Sequence, residues 1–403
     1  MSALLPVAEA LARVLADVEP VESDTVSLAE AFGRVLATPL AAKRTQPPFD
    51  VSAMDGYAVR AADVATLPAE LAVIGAAPAG HAFAGRVEAG QAVRIFTGAA
   101  LPEGADSILL QEDASIAEDG ALVAKEVVRP RQHVRARGLD FVEGRVMVDA
   151  GTRLGMRQMT LAAAMNHAAV PVRREPRVAI IATGDELVPP GADAPPDRIV
   201  ASNTFGIEAL VRSLGGLPID LGIVPDDRSA FAAAVDRAVL EGADILVTLG
   251  GASVGDHDFA QEVLASRGMT LGFWKIAMRP GKPLIFGRLG PMRVLGLPGN
   301  PVSSLVCALL FLRPLIEALL GLPPIDRTET AELGAPMQAN DRRQDYVRAT
   351  LSEEPDGRRI ATAFARQDSS MLSTFAEAGC LIIREPFAPP AAIGAACRIL
   401  RLP

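Results

Sequence analysis

The chain reads as a multidomain α/β and β protein: one α/β domain with a mostly parallel sheet, preceded by helical and β segments and followed by a further β domain. Three observations predict this. First, 403 residues, half of them hydrophobic, exceed what one core usually fills. Second, from Arg177 onward short β-branched runs alternate with helix-length segments closed by glycine, the pattern of a right-handed parallel sheet. Third, residues 47–139 and the stretch after Gly321 show short strands cut by glycine and proline turns.

Residues 1–46 read as helical. Leu4, Val7, Leu11, Val14, Leu15 and Val18 recur at helical spacing, and Ser27 and Glu30 stand as a capping box. Glu9 and Asp17 interrupt the apolar face and no basic leader precedes it, so a helix is expected and not a signal peptide. Two prolines at Pro47 and Pro48 then forbid helix. Strands are expected over 71–75, 93–96 and 107–110, in a small β domain inserted at 47–139. Residues 153–170 turn helical again, offering Leu154, Met156, Met159, Leu161 and Met165 to a core. They rejoin the first helices, which makes a discontinuous helical domain of 1–46 and 140–175. The α/β domain, 176–324, has strands over 178–183, 217–224 and 245–249, with helices over 203–214 and 229–241 between them. Short strands over 284–286 and 294–297 and a helix over 305–320 complete it. Residues 325–403 form the second small β domain.

Composition removes several functions. A net charge of −9 and 4% aromatic residues argue against nucleic acid. The apolar run 305–312 stops at Arg313, too short to cross a bilayer, so a soluble protein is expected. Three scattered cysteines without a Cys-x-x-Cys read as reduced thiols of a cytosolic protein, and four scattered histidines make zinc improbable. Any metal should be magnesium-like, on oxygen ligands.

The motifs concentrate in residues 244–304. The apolar strand at 245–249 runs into Gly250-Gly251-Ala252-Ser253-Val254-Gly255, then Asp256, His257 and Asp258. Bare backbone N–H groups, a hydroxyl and carboxylates thus meet at the carboxyl end of a strand, where open α/β sheets bind ligands. Thr183-Gly184-Asp185-Glu186-Leu187 follows the first strand of the same sheet, so Glu186 and the Gly250 loop share one crevice. Pro225-Asp226-Asp227 reaches the same edge, though an acid pair at a helix N-terminus explains it nearly as well. Lys275, Arg279 and Lys282 sit in a run stiffened by Pro280, Gly281 and Pro283, which suggests aimed charge. In Pro298-Gly299-Asn300-Pro301-Val302-Ser303-Ser304, Asn300 fits an N-cap and Pro301 the first helical position, an anion seat. Acids from separate loops in one crevice suit magnesium-assisted phosphoryl or adenylyl chemistry. Asp55, in Ser52-Ala-Met-Asp-Gly-Tyr-Ala, and Thr97, in Ile-Phe-Thr-Gly, are weak signals alone.

Taken together, Pro48-Phe-Asp-x-Ser-Ala-Met-Asp-Gly-Tyr-Ala, Thr-Gly-Asp-Glu-Leu, Gly-Gly-Ala-Ser-Val-Gly-Asp-His-Asp, Pro-Gly-Lys-Pro and Leu-Pro-Gly-Asn-Pro-Val-Ser-Ser resemble, in order, the MoeA/gephyrin E-domain family of molybdopterin molybdenumtransferases. The likeness covers essentially the whole chain. It implies a molybdopterin-binding α/β domain, a discontinuous helical domain, an inserted β domain, a C-terminal β barrel and a homodimer. It implies hydrolysis of adenylyl-molybdopterin with Mg²⁺, release of AMP, and insertion of molybdate into the dithiolene. By motif, Asp55, Glu186, Asp226 and Asp258 would be the carboxylates that bind metal or support hydrolysis. Lys275, Arg279 and Lys282 would meet molybdate and phosphate, and Thr97 the substrate. Pro298, Gly299, Asn300 and Pro301 would shape the pterin pocket, and Gly250, Gly251, Ser253 and Ser303 would be further substrate-binding residues. Asp55 and Thr97 would reach it across the homodimer, and a molybdopterin adenylyltransferase would be the handover partner. Val51, Arg279 and Gln367-Asp368-Ser369-Ser370-Met371 depart from the usual family pattern. The rival readings are the adenylyltransferase itself and a non-enzymatic, gephyrin-like scaffold.

Overall fold

A computed structural model describes residues 4–250 and 259–403. The chain forms two compact units, one of Met1–Asp24, Gly33–Ala37 and Pro171–Pro403, the other of Thr25–Phe32 and Thr38–Val170.

The first unit is built on a six-stranded sheet in the order Leu217–Val224, Arg177–Thr183, Ile245–Leu249, Met292–Leu297, Ile285–Leu289, Thr270–Trp274. Its first four strands are parallel, while the last two add antiparallel at the edge. Both faces are covered, which is why these strands read as unbroken apolar runs. Side chains alternate across the sheet: Val178, Ile180, Ile245 and Val247 join a core with Ile207, Val211 and Val306. Ala179, Ile181 and Leu246 join another with Phe231, Val235 and Phe259. The helices Asn203–Leu214 and Arg228–Leu240 therefore lie on opposite faces. The chain leaves the Arg177–Thr183 strand toward one neighbour and later returns on its other side, so the strand order reverses beside Ile245–Leu249. Ligands of doubly wound sheets bind at such a switch point.

Pro301–Leu319 is long and apolar enough to cross a membrane by composition, yet 61% of it is buried within the protein. Val302, Val306, Phe311, Leu312, Leu315 and Ile316 spend that apolarity on the core.

The last five strands, Thr328–Leu333, Gln344–Glu353, Arg359–Ala363, Cys380–Arg384 and Ala396–Arg401, close into a barrel through the pairing of Gln344–Glu353 with Cys380–Arg384. Met278–Arg279 extends it, parallel to the start of Gln344–Glu353.

The second unit holds a six-stranded sheet in the order Ser107–Leu110, Gly56–Val59, Gln91–Ile95, Ala69–Ala77, Leu122–Ala124, Ala114–Ile116. The helix Met156–Ala164 packs near the 3₁₀ turn Leu28–Glu30.

Helical content is lower than the sequence suggested. Among the described residues of this stretch, 4–46, there is one α-helix, Val7–Leu15, then the strand Ser23–Ser27, the 3₁₀ turn and the strand Leu40–Ala41. Asp-Thr-Val at 24–26 favours extended backbone, and Pro20 and Pro39 deny a second helix its length. The hydroxyl of Ser27 donates to the Glu30 carboxylate at 2.6 Å, so the pair closes one turn and starts no longer helix. The helix expected over 153–170 stops at Ala164, and Ala169–Arg173 is extended.

Candidate active site

At the carboxyl edge of the parallel strands lies a cleft of about 880 Å³. Its wall carries Glu186, Asp226, Gly250 and the whole 298–301 turn, each from a loop that follows a different strand. The expected crevice is thus present. Gly250 lies between Leu249 and the residues outside the described structure, at φ +96°, where a Cβ would meet the Thr183 carbonyl oxygen at 2.8 Å. Only glycine lets the two strand ends close so tightly at the switch point. The Thr183 hydroxyl completes the junction by donating to the Leu249 carbonyl at 3.3 Å.

The two acids of 225–227 divide their work. Asp227 caps the Arg228–Leu240 helix, accepting from the Ala230 N–H at 2.8 Å, and its pKa falls chiefly through the Ser229 hydroxyl. Asp226 faces the cleft, its backbone N–H donating to the Asp185 carboxylate at 3.1 Å.

The 298–301 turn is held from two sides. The Asn203 side chain donates to the Gly299 carbonyl at 2.8 Å, and the Asn300 side chain donates to the Ser369 hydroxyl at 3.0 Å. Asn300 occupies the N-cap position but makes no side-chain cap. Pro301 has no N–H, and the Val302 N–H goes to the Ser369 carbonyl at 3.0 Å, so the anion seat is poorer in free donors than the sequence suggested. Ser303 is buried and forms no part of the cleft wall.

Ser369 owes its position to a fully buried arginine. Arg348, 1% exposed, donates to the Gln367 side chain at 3.2 Å and to the Asp368 carbonyl at 2.8 Å. The Asp368 carboxylate in turn holds Ser370 through its N–H and hydroxyl. Ser370 and Leu372 then join the cleft wall, as do Asn203, Ile199 and Val200, all missed in the sequence. A polar residue opening a helix after a strand was the available signal for Asn203. None existed for the barrel residues, whose approach depends on tertiary closure.

The basic residues stand apart from the cleft wall, apart from Pro283 next to Lys282. Lys275 adopts the left-handed conformation at φ 69°, and its ammonium lies 3.6 Å from the Trp274 ring centroid, a cation–π contact that fixes the charge. A Cβ on Gly281 would lie 2.3 Å from Met278 Cε and 2.5 Å from Cys307 Sγ, so this turn packs flush on the following helix. Arg279 is already engaged. Its guanidinium binds the Asp345 carboxylate through Nε at 3.0 Å and through Nη2, and reaches Asn340 at 3.3 Å.

In the second unit, Asp55 and Thr97 come together although 42 residues separate them. The Asp55 carboxylate accepts from the Thr97 N–H and hydroxyl, both at 2.7 Å, and these donors hold its pKa below the ordinary aspartate value.

Gly251, Ser253 and Asp258 lie outside the described residues. Among the described residues, no group of three or more His, Cys, Asp and Glu side chains is gathered for a metal.

Sheet and cleft define a doubly wound α/β ligand-binding domain, continued in the chain by a closed β barrel. Residues 5–166 match the MoeA N-terminal region (domain I and II), 179–318 a probable molybdopterin binding domain, and 330–402 the MoeA C-terminal region (domain IV). A molybdopterin molybdenumtransferase of Haemophilus influenzae is 36% identical over 91% of this chain and 90% of its own. That of Bacillus subtilis is 34% identical over 94% and 90%. A crystal structure of the molybdopterin biosynthesis MoeA protein from Pyrococcus horikoshii OT3 superposes with a TM-score of 0.84 at 28% identity, covering 99% of this chain and 100% of that one. The chain belongs to the MoeA family of molybdopterin molybdenumtransferases, the family its motifs resemble. It is a transferase of molybdenum cofactor biosynthesis.

Proposed function

We propose that the protein is a molybdenum insertase: it hydrolyses adenylyl-molybdopterin, releases AMP and joins molybdate to the dithiolene, with magnesium and as a cytoplasmic homodimer. The observation that carries this reading is the cleft itself, whose wall is shared by Glu186, Asp226 and the 298–301 turn at the carboxyl edge of the sheet. Two carboxylates suit magnesium, which is ordinarily held by one or two acids with substrate phosphates completing its shell. Glu186 and Asp226, with Asp258, are the residues that would hold the ion, which when bound would neutralise phosphate charge.

Hydrolysis adds a water oxygen to one phosphorus, breaks the bridging P–O bond and releases a proton. Glu186 is the carboxylate proposed to orient that water and take the proton. Asp55, kept ionised by Thr97, is proposed to serve the same step across the homodimer. Molybdate is a dianion, and Lys275, steadied on Trp274, is the proposed cation for it together with Lys282. Arg279 is the weaker member of that set, because Asp345 already neutralises its charge. On insertion, the thiol protons leave with one molybdate oxygen as water. Gly251 and Ser253 are proposed to bind phosphate, and Asn203, Ser370 and the 298–301 turn to line the pterin. A molybdopterin adenylyltransferase is the proposed donor of substrate.

The test is incubation of the protein with adenylyl-molybdopterin, molybdate and Mg²⁺, reading AMP and active cofactor. Stoichiometric AMP and cofactor are expected. Cofactor formation without AMP, or consumption of ATP, overturns the reading.

A further inference from the structure

Arg94 lies among the residues that carry Asp55 and Thr97 and touches both sides. It is directly opposite Tyr57 across the antiparallel pair Gly56–Val59 and Gln91–Ile95, with its guanidinium carbon 5.0 Å from the Tyr57 ring centroid. The same guanidinium lies 5.2 Å from the Phe96 ring centroid, two residues along its own chain on the same face. Tyr57 follows Asp55-Gly56, and Phe96 precedes Thr97. Nη1 donates to the Gly56 carbonyl at 3.1 Å, and Nη2 donates to the Gln111 side chain at 2.5 Å. Gln111 completes the ring, since its backbone N–H donates to the Asp55 carbonyl at 3.4 Å.

We infer that Arg94 is a positioning residue that clamps the Asp55 turn to the Thr97 turn and so fixes the carboxylate–hydroxyl pair for the transfer reaction. One planar cation engages two rings, one backbone carbonyl and one side-chain amide, a task that needs the five-donor fork of arginine and defeats lysine. The function assigned to it here rests on the reading that Asp55 serves hydrolysis, while the clamp itself does not. Arg94 also lends Asp55 a nearby positive charge, which adds to the two Thr97 donors in favouring the carboxylate.

The experiment uses full-length protein carrying Arg94→Gln, with Arg94→Lys as the conservative partner, each checked for native folding by circular dichroism. The first readout is independent of turnover: the titration of the Asp55 carboxyl carbon by NMR. Its midpoint is expected to move to higher pH in Arg94→Gln and by less in Arg94→Lys. The second is a cycle with Asp55→Asn. Arg94→Gln should slow AMP release about tenfold in the wild-type background and less than twofold beside Asp55→Asn, the behaviour of coupled neighbours. An Asp55 titration unmoved by Arg94→Gln overturns the inference, as does a similar slowing in both backgrounds. A shifted titration with normal AMP release in Asp55→Asn keeps the clamp and removes Asp55 from the reaction.

Discussion

The Asp55 carboxylate accepts two hydrogen bonds from one residue, Thr97, through its backbone N–H and its hydroxyl. Both donors favour the ionised acid, so the Asp55 pKa lies below the ordinary aspartate value. Thr97→Val deletes the hydroxyl and keeps the N–H, and it should raise that pKa. The ionised form is then lost at higher pH on acidification, so the acidic limb of the pH–rate profile for AMP release should shift upward while the neutral plateau falls only several-fold. A profile that overlays the wild type would remove Thr97 from any control over Asp55.

Glu186→Gln and Asp226→Asn test the cleft acids. Each keeps the side-chain shape and removes a charge from the cleft wall. AMP release should fall about 10²–10⁴-fold for an acid that moves a proton. An acid that only holds magnesium should instead require more Mg²⁺ for half-maximal rate. EDTA should arrest the wild type, and added Mg²⁺ should restore it. Titrating Mg²⁺ against rate for both variants separates the roles, and normal kinetics in both would empty the cleft of chemistry.

The α/β half was legible because burial on both faces writes itself into sequence. Leu217–Val224, Asn203–Leu214 and Ile245–Leu249 lie where periodicity and glycine stops put them. The first 46 residues were less legible, since apolar positions at helical spacing say little about where prolines and β-branched residues end a helix. Glu186, Asp226 and Gly250 were readable as one crevice because strand ends in a parallel sheet share an edge. The Asp55–Thr97 bond was not readable from spacing, for the intervening strands bring the two together by cross-strand pairing. Asn300 illustrates competition: its composition predicts a helix cap, but Ser369 from the barrel takes its amide. Arg279 likewise reads as free charge until the fold sets Asp345 beside it.

Gly281 offers a packing test outside the cleft wall. Gly281→Ala adds a methyl where φ is +111° and where Met278 and Cys307 already stand within 2.5 Å of the new atom. Strain and overpacking together should destabilise the protein by about 1–3 kcal/mol. Urea unfolding should show a lower midpoint with an unchanged slope. An unchanged midpoint would mean that the turn carrying Lys282 has room to relax.

Ser369→Ala removes the hydroxyl that accepts from Asn300 and leaves the backbone contact to Val302 intact. The 298–301 turn then loses one of its two side-chain ties, the other being Asn203. The loss of one neutral hydrogen bond should raise KM for the pterin substrate about fivefold with kcat little changed. A fall in kcat at constant KM would assign Ser369 a part in the chemical step.

Asp345 supplies a prediction about stability, with a sign opposite to the usual aspartate. It is 6% exposed, and its Oδ1 is buried with no hydrogen-bond partner while Oδ2 holds Arg279. Burial, the largest influence, raises its pKa above the ordinary value, and the Arg279 bonds only partly offset this. An acid with a raised folded-state pKa stabilises the fold below its unfolded value and loses that contribution as pH rises through the folded value. Ionised Asp345 therefore costs stability at neutral pH. Asp345→Asn keeps an oxygen for Arg279 without the buried charge, so it should be at least as stable as the wild type at pH 7. Its advantage should shrink on acidification toward the ordinary aspartate pKa, where the wild-type carboxyl is also neutral. Thermal unfolding of both proteins from pH 4 to 8 measures this. An Asn variant clearly less stable at pH 7 would show that the pairing with Arg279 outweighs the cost of burial.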